Sequence, residues 1–558
     1  MTLRSGRSFR LRHGSSGFLV RGGDGALSGL ERLLWALTAC ALPLFVLWPV
    51  GAVLFESFVR DGSLSLRAYS GLLSRNAGLV RDSFLLSGTV TLCTLPLSTA
   101  IALRLVYGPR RGRGAVTAAL ALSTISPPFL CSMAYLMLFG RRGLVTWRLL
   151  GFEWNPYGFH GVLIMETVSL IGLAALLIAA SLRRVDGALE RASLDLGASP
   201  ARTLRSVSLP LALPGLAAAA LTIFVRSLSD FGTPLFLGGR FQVLASRAYT
   251  TLVGVGDFPL ACAMNILLLL PALCILCLRS AEAGEGFFSP SLGLTQDRSL
   301  RLPAGLLAVL DGVAWAFVLL QLMVYGLILL GSVTRTWGTD FSPTTRHLSA
   351  ILGFRMGSVL RSLVCSFAAA LGGCLLAAVI ASLLEGTGPG LRRTVQAVAD
   401  LPYLMPGTFF GVGYLLVSVR LPFELGPTFL IAMNCLFRQL SPSLRAARAG
   451  LAQIDPALVQ AVRDLGGGPR RVLTDLLIPR LRPFLRLGFL NAFSAAMTTT
   501  GPIIFLVSPY ARVASIELFE AINEGDFGAA SAMGTLLIAV VAGVNALAWR
   551  LSTRRDAL

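Results

Sequence analysis

Arg226 and Asp230 lie four residues apart within one long apolar stretch, where charge is least expected. An ion in hydrocarbon is costly, so such residues usually face a bundle interior or a water-filled cavity. The i, i+4 spacing puts both on one helix face, where they can neutralise each other. Two roles fit: a pair that fixes helix packing, or a pair that lines a transport route. Other reactive residue types do not assemble. Cys274 and Cys277 form a CxxC, but within LLLLPALCILCLRS, an apolar setting unsuited to zinc or disulfide exchange. His13, His160 and His347 are far apart in sequence, so no metal site is expected. No catalytic residue is expected either. All 48 basic residues are arginine, and lysine is absent. A Walker A loop needs its lysine on the nucleotide phosphates, so this chain is expected to bind no ATP and to carry no cofactor of its own.

These residues must be positioned by membrane helices. Only 14% of the 558 residues are charged, 54% are hydrophobic, and the mean hydropathy is +0.73. Soluble domains carry about 25% charge. About twelve apolar blocks are long enough to be membrane spans: 33–58, 83–107, 115–138, 161–182, 211–237, 258–278, 304–333, 359–384, 394–418, 426–442, 481–507 and 528–549. Leu37-Thr38-Ala39-Cys40 matches a lipoprotein cleavage box, but the apolar run continues past it, so a first membrane helix is expected rather than a signal peptide. The net charge of +20 does not imply nucleic acid, because the arginines cluster between blocks. They divide roughly two to one between alternate sides, which places both termini in the cytoplasm. Arg104, near a helix end, is expected to snorkel. The expected organisation is a basic disordered tail over 1–30, a first membrane half over 31–278, a cytosolic linker over 279–302 and a second half over 303–558.

The halves repeat in parallel. ERASLDLGASPARTLRSVSLP ends at Pro210, and VQAVRDLGGGPRRVLTDLLIP ends at Pro479. Asp195-Leu196-Gly197 matches Asp464-Leu465-Gly466, 269 residues on. Ser83, Pro127 and Tyr135 match Ser362, Pro406 and Tyr414 at an offset of 279. Six spans per half give both halves one orientation, unlike the inverted repeats of many secondary transporters. The glycines suit a turn with positive φ, and the prolines suit a helix start. Both segments fall in expected cytoplasmic loops.

These loops resemble the EAA motif of binding-protein-dependent ABC permeases. Its positions fall on Arg191, Ala192, Ser193, Gly197, Val207, Leu209 and Pro210, and on Gln460, Ala461, Val462, Gly466, Leu476, Ile478 and Pro479. Neither half has glutamate at the first position, although Glu190 is adjacent. SPPFLCSMAY, SDFGTPLFLGG and MTTTGPIIFLVSP are similar to segments of the ferric-iron branch, whose members are fused six-plus-six chains. The resemblance implies an all-α integral membrane protein with the type I ABC importer permease fold. It implies two copies of a cytosolic ATPase, which bind the ATP and dock on the two coupling loops. It also implies a periplasmic binding protein that delivers ferric iron; sibling branches carry thiamine, polyamines, sulfate or phosphonates. An inner-membrane location follows.

The 269 offset sets Ser229-Asp230-Phe231-Gly232 against Thr498-Thr499-Thr500-Gly501, so both sets could meet around a central path. Tyr135 and Tyr414 join Arg226, Ser229, Asp230, Thr498, Thr499 and Thr500 as path candidates. The competing class is an ion-coupled secondary transporter with Arg226 and Asp230 in its coupling site. Paired cytoplasmic docking loops argue against it, since such a transporter has no ATPase to dock.

Overall fold

A chain with this little polar surface must satisfy its backbone inside each segment, which in lipid favours helices. The computed structural model describes residues 29–60, 62–127, 129–140, 143–281, 300–385 and 387–553. All twelve apolar blocks are helical, and among the described residues the only strands are two short hairpins, Val59–Arg60 with Ser63–Leu64 and Thr334–Thr336 with Asp340–Pro343. Each hairpin follows the first span of its half. Most of the tail expected over 1–30 and of the linker over 279–302 lies outside the described residues. At the linker's end, Leu300 and Leu302 are buried against the first half.

By length and hydropathy, seven described helices can cross a membrane, or up to nine if each of two bent pairs is one span. Those bends, 102° between Arg113–Ile125 and Phe129–Leu149 and 104° between Pro389–Leu404 and Gly407–Arg420, fall at equivalent places. Ser126 and Met405 precede the prolines there and are extended, with ψ of 149° and 150°. Proline disfavours the helical region for the residue before it. Three blocks fall short of the test, so twelve spans are not reached on length and hydropathy alone. Phe258–Pro271 is a shorter apolar helix. Arg480, Arg482 and Arg486 lower the hydropathy of Ile478–Thr498. The block at 426–442 is longer than expected: Pro427–Arg438 breaks at Gln439 and resumes as Leu440–Leu451. Pro442 falls in the first turn of the resumed helix, where proline is tolerated.

The packing does not follow the division of the sequence into halves. The first span, Arg32–Ser57, lies against the second half. Leu42 and Val46 belong to the second half's core, and the Tyr414 hydroxyl donates to the Phe45 carbonyl at 3.0 Å. A Cβ on Gly413 would lie 2.6 Å from the Pro49 carbonyl oxygen, so only glycine permits this approach. Arg420 closes the contact with an ion pair to Glu56. The reciprocal exchange is made by Ala304–Ser332. Its Tyr325 hydroxyl bonds Ser126 at 2.7 Å, and the following Trp337 indole donates to the Met137 carbonyl at 2.9 Å.

Arg104 belongs to the same exchange and does not snorkel. It is 2% exposed and paired with Asp311 of Ala304–Ser332. Its remaining donors reach the carbonyls of Pro109 and Arg111, each at 2.8 Å. The apolar stem keeps the head from water only because carboxylate and carbonyls replace it.

Candidate functional site

Each of the two repeated loops is built from the same four parts. In the first half, Asp186 caps helix Gly187–Asp195 by accepting from the Ala188 amide at 2.8 Å. Gly197 then turns the chain with φ of +85°. Ser199 caps the short helix Pro200–Thr203, and a widened turn, Leu204–Ser208, leads into helix Leu209–Leu228. In the second half, Asp455 accepts from the Ala457 amide at 2.9 Å ahead of helix Pro456–Asp464. Gly466 turns the chain at φ of +78°, Pro469–Arg471 follows, and Val472–Leu477 leads into Ile478–Thr498.

The widened turns have a local cause. Pro210 and Pro479 lack an N–H, and their rings clash with the carbonyl four residues back. The preceding turn opens to an i→i−5 pattern: the Leu209 amide donates to Leu204, and the Ile478 amide to Leu473. The motif's proline therefore sets how each loop helix meets its membrane helix.

Arg191, Ala192, Gly197, Gln460, Ala461 and Gly466 are all exposed, as are Pro210 and Pro479; Leu209 is half-buried and Ile478 is 37% exposed. Sequence reasoning passed over the two most prominent side chains. Leu196 is 88% exposed and Leu465 is 85% exposed, each at the tip of its loop just before the turning glycine. Arg202 and Arg205 flank one tip, and Arg470 and Arg471 the other, all exposed. The signal was present in the repeated Asp-Leu-Gly, where a leucine between an acid and a turn glycine has no core to enter.

Glu190 points the other way. It is fully buried and accepts from the Tyr107 hydroxyl at 2.6 Å and the Ser208 hydroxyl at 2.8 Å. The first loop helix is thus anchored to the bundle by a carboxylate. At the equivalent places in the second half stand Val459, 4% exposed, and Leu477, fully buried. One loop is held by polar bonds and its counterpart by apolar packing.

The path candidates divide into several roles. Tyr135 is 6% exposed and packs on Phe139, with ring centroids 5.2 Å apart; Tyr414 is 3% exposed and bonds Phe45 as above. The fifth-span helices end within one residue of equivalent points, at Leu228 and Thr498. Because the first ends there, Arg226 and Asp230 do not share a helix face, and they form no ion pair. Asp230 instead accepts from the Gly232 and Thr233 amides at 2.9 and 3.3 Å. Arg226 is exposed and points at the second half, its guanidinium carbon 5.8 Å from the centre of the Tyr403 ring. Ser229 is half-buried. Thr498 donates to the Ser494 carbonyl at 3.0 Å, the Thr499 carbonyl accepts from Ser515 at 2.7 Å, and Thr500 is buried.

The two broken segments meet. A Cβ on Gly501 would lie 3.1 Å from the Phe231 ring, so Gly501 admits the aromatic ring of the opposite half. Phe231 continues into a cluster with Tyr249 at 5.3 Å and Phe519 at 5.9 Å. Among the described residues no three His, Cys, Asp or Glu side chains group to hold a metal. Cys274 and Cys277 lie on helix Phe258–Ala281, with side chains outside those described.

Comparison with known proteins adds the family. The model of the family described as binding-protein-dependent transport system inner membrane component matches residues 33–281. The ferric transport system permease protein FbpB of Actinobacillus pleuropneumoniae is 27% identical over 535 residues, covering 93% of this chain and 78% of that protein. A putative 2-aminoethylphosphonate transport system permease protein, PhnU of Salmonella choleraesuis, is 28% identical over 43% of this chain and 87% of its own length. A putative ferric transport system permease-like protein, AfuB of Escherichia coli, is 37% identical over 92 residues, 16% of this chain and 77% of that protein. With the loop motif present twice and the likeness running through both halves, the chain belongs to the family of binding-protein-dependent transport system inner membrane components.

Proposed function

We propose that this chain is a membrane-spanning permease subunit of an ATP-driven importer, carrying both pseudo-repeat halves, and passes ferric iron from a periplasmic binding protein to the cytoplasm. The observation that carries the reading is the pair of cytoplasmic loops, each presenting an exposed leucine, Leu196 or Leu465, on a glycine-turned tip. Isolated exposed leucines are ordinary. Two at matching positions, each ringed by arginines, suit a partner with an apolar groove and an acidic rim. Two copies of one cytosolic ATPase would engage them, one per loop, and ATP hydrolysis would belong to that partner. The residues assigned to docking are Arg191, Ala192, Leu196, Gly197, Leu209 and Pro210, with Gln460, Ala461, Leu465, Gly466, Ile478 and Pro479.

Both loops must then face the cytoplasm. In a bacterial inner membrane this sets both termini inside, with residues 31–278 and 303–558 as the two functional halves. Iron as cargo draws on the named transport systems of the ferric relatives. Uptake of labelled ferric iron is the test, in cells that lack other iron importers, with and without this chain. Uptake that depends on the chain is expected. Equal uptake in both strains rejects iron and turns attention to the phosphonate class.

A further inference from the structure

The ring of Tyr403 gathers arginines from both halves. Arg226 approaches from helix Leu209–Leu228 at 5.8 Å, and Arg445 from helix Leu440–Leu451 at 5.9 Å. Arg438, two residues before the second helix begins, lies within electrostatic reach of Tyr403 and of Arg226. Three guanidiniums at the join of the two halves, within spans, are costly unless they have work to do.

Two of the three have structural partners. Arg438 donates to the carbonyls of Pro402 and Met405 at 3.2 and 3.3 Å, which ties down the end of helix Pro389–Leu404 before its sharp bend. Arg445 pairs with Asp400 at 3.0 Å and bonds Ser441 at 2.9 Å. Among the described residues neither Arg226 nor Arg438 forms an ion pair, while Arg445 pairs with Asp400. Arg226 meets Tyr403, through the ring face and the hydroxyl. It is exposed, although its neighbours Ser227 and Leu228 are buried. Its side chain is therefore accessible beside Tyr403, at the join of the two halves, rather than enclosed in packing. Asp230 and Glu166, acids of the first half, hydrogen-bond the Gly232 and Thr233 amides and Ser227.

We propose that Arg226, with Arg438 and Arg445 behind it, forms an anion-recognition site on the transport route, so that the cargo crosses carrying net negative charge. This rests on the importer reading and narrows it. A bare ferric cation would meet like charge here, whereas an iron ion still held by anionic oxygen ligands would meet guanidiniums suited to carboxylate or phosphate oxygens. The chemistry recognised is an oxyanion, whether it coordinates iron or travels alone.

The test has two arms. In the first, the purified full-length chain in lipid nanodiscs is treated with phenylglyoxal, and modification is read at each arginine by mass spectrometry. Ferric citrate, citrate alone and inorganic phosphate are the probes. Slower modification of Arg226 but not of Arg202, on the coupling loop, is expected with at least one probe. Equal rates at Arg226 with and without every probe overturn the proposal. In the second, uptake of labelled iron is compared for Arg226→Gln and Arg226→Lys in cells producing the whole transporter. Loss of a charge-assisted contact should lower uptake roughly tenfold in Arg226→Gln, with most of it kept in Arg226→Lys. Undiminished uptake in Arg226→Gln overturns the site and leaves iron as cargo intact. Protection of Arg226 by phosphate alone, in a chain that moves no iron, keeps the site and rejects the iron reading.

Discussion

Removing the Glu190 carboxylate should loosen one of the two repeated loops and leave its counterpart untouched. Glu190 is fully buried and accepts two hydroxyl hydrogen bonds, from Tyr107 and Ser208. Hydrogen bonds to a charged acceptor contribute about 1.5–3 kcal/mol each. Losses at one acceptor overlap, so Glu190→Ala should lower the opening free energy of helix Gly187–Asp195 by about 3 kcal/mol, near a hundredfold in population. Hydrogen exchange on the full-length chain in nanodiscs reads this directly. Amides of Gly187–Asp195 should exchange about a hundredfold faster, up to the limit set by their protection in the parent chain. Helix Pro456–Asp464 is the internal control, since the apolar Val459 and Leu477 stand there in place of Glu190 and Ser208. A triple variant, Glu190→Val with Tyr107→Phe and Ser208→Ala, copies that apolar arrangement and should recover most of the protection, because replacing all partners of a buried bond together costs little. Unchanged exchange in Glu190→Ala would refute the anchor. A triple variant as loose as the single one would refute the equivalence of the two supports.

Leu196→Asp combined with Leu465→Asp should abolish co-purification of the cytosolic ATPase while leaving the amount of membrane-inserted chain unchanged; wild-type recovery of the ATPase would remove the two leucines from the docking surface. Arg104→Ala should lower thermal stability by about 3 kcal/mol, because it strands Asp311 and the carbonyls of Pro109 and Arg111. Arg104→Ala with Asp311→Ala should be less harmful than the single change, and equal losses would mark the pair as uncoupled. Arg226→Ala and Asp230→Ala should instead act independently in transport and stability, within about 0.5 kcal/mol of additivity, since they share no partner. A double-mutant cycle with strong coupling would restore the direct pair.

What the sequence made legible was local or repeated. The glycine turns at 197 and 466, the prolines at 210 and 479 and the extended residues before the bends all follow from residue type, and the repeat confirms each by its copy. What stayed hidden depends on partners far along the chain. Glu190 stands beside the motif, but its role is set by Tyr107, 83 residues away. Arg104 reads as a snorkelling residue until Asp311, 207 residues on, enters its surroundings. Arg226 and Asp230 were separated by a helix end at Leu228 that hydropathy cannot register, because the apolar run continues through Phe231 and Leu237. Aromatic Tyr403 gave no sign of its charged neighbours, since two of its three arginines arrive on a helix broken at Gln439.

The exchanged first spans impose an order on synthesis. Phe45 and Tyr414, which hold the first span in place, are separated by 369 residues. At about 5–20 residues per second, the first span leaves the ribosome roughly 20 to 70 seconds before its partner helix exists. During that interval only its later part, around Val50 and Val53, has a partner from its own half, in helix Phe258–Ala281, while Leu42 and Val46 wait without their core and Glu56 is not yet paired to Arg420. The first half therefore cannot finish assembling when its own last residue is made. Biogenesis is completed late and as one event, when the second half arrives to claim the waiting helix and gives its own first span in return.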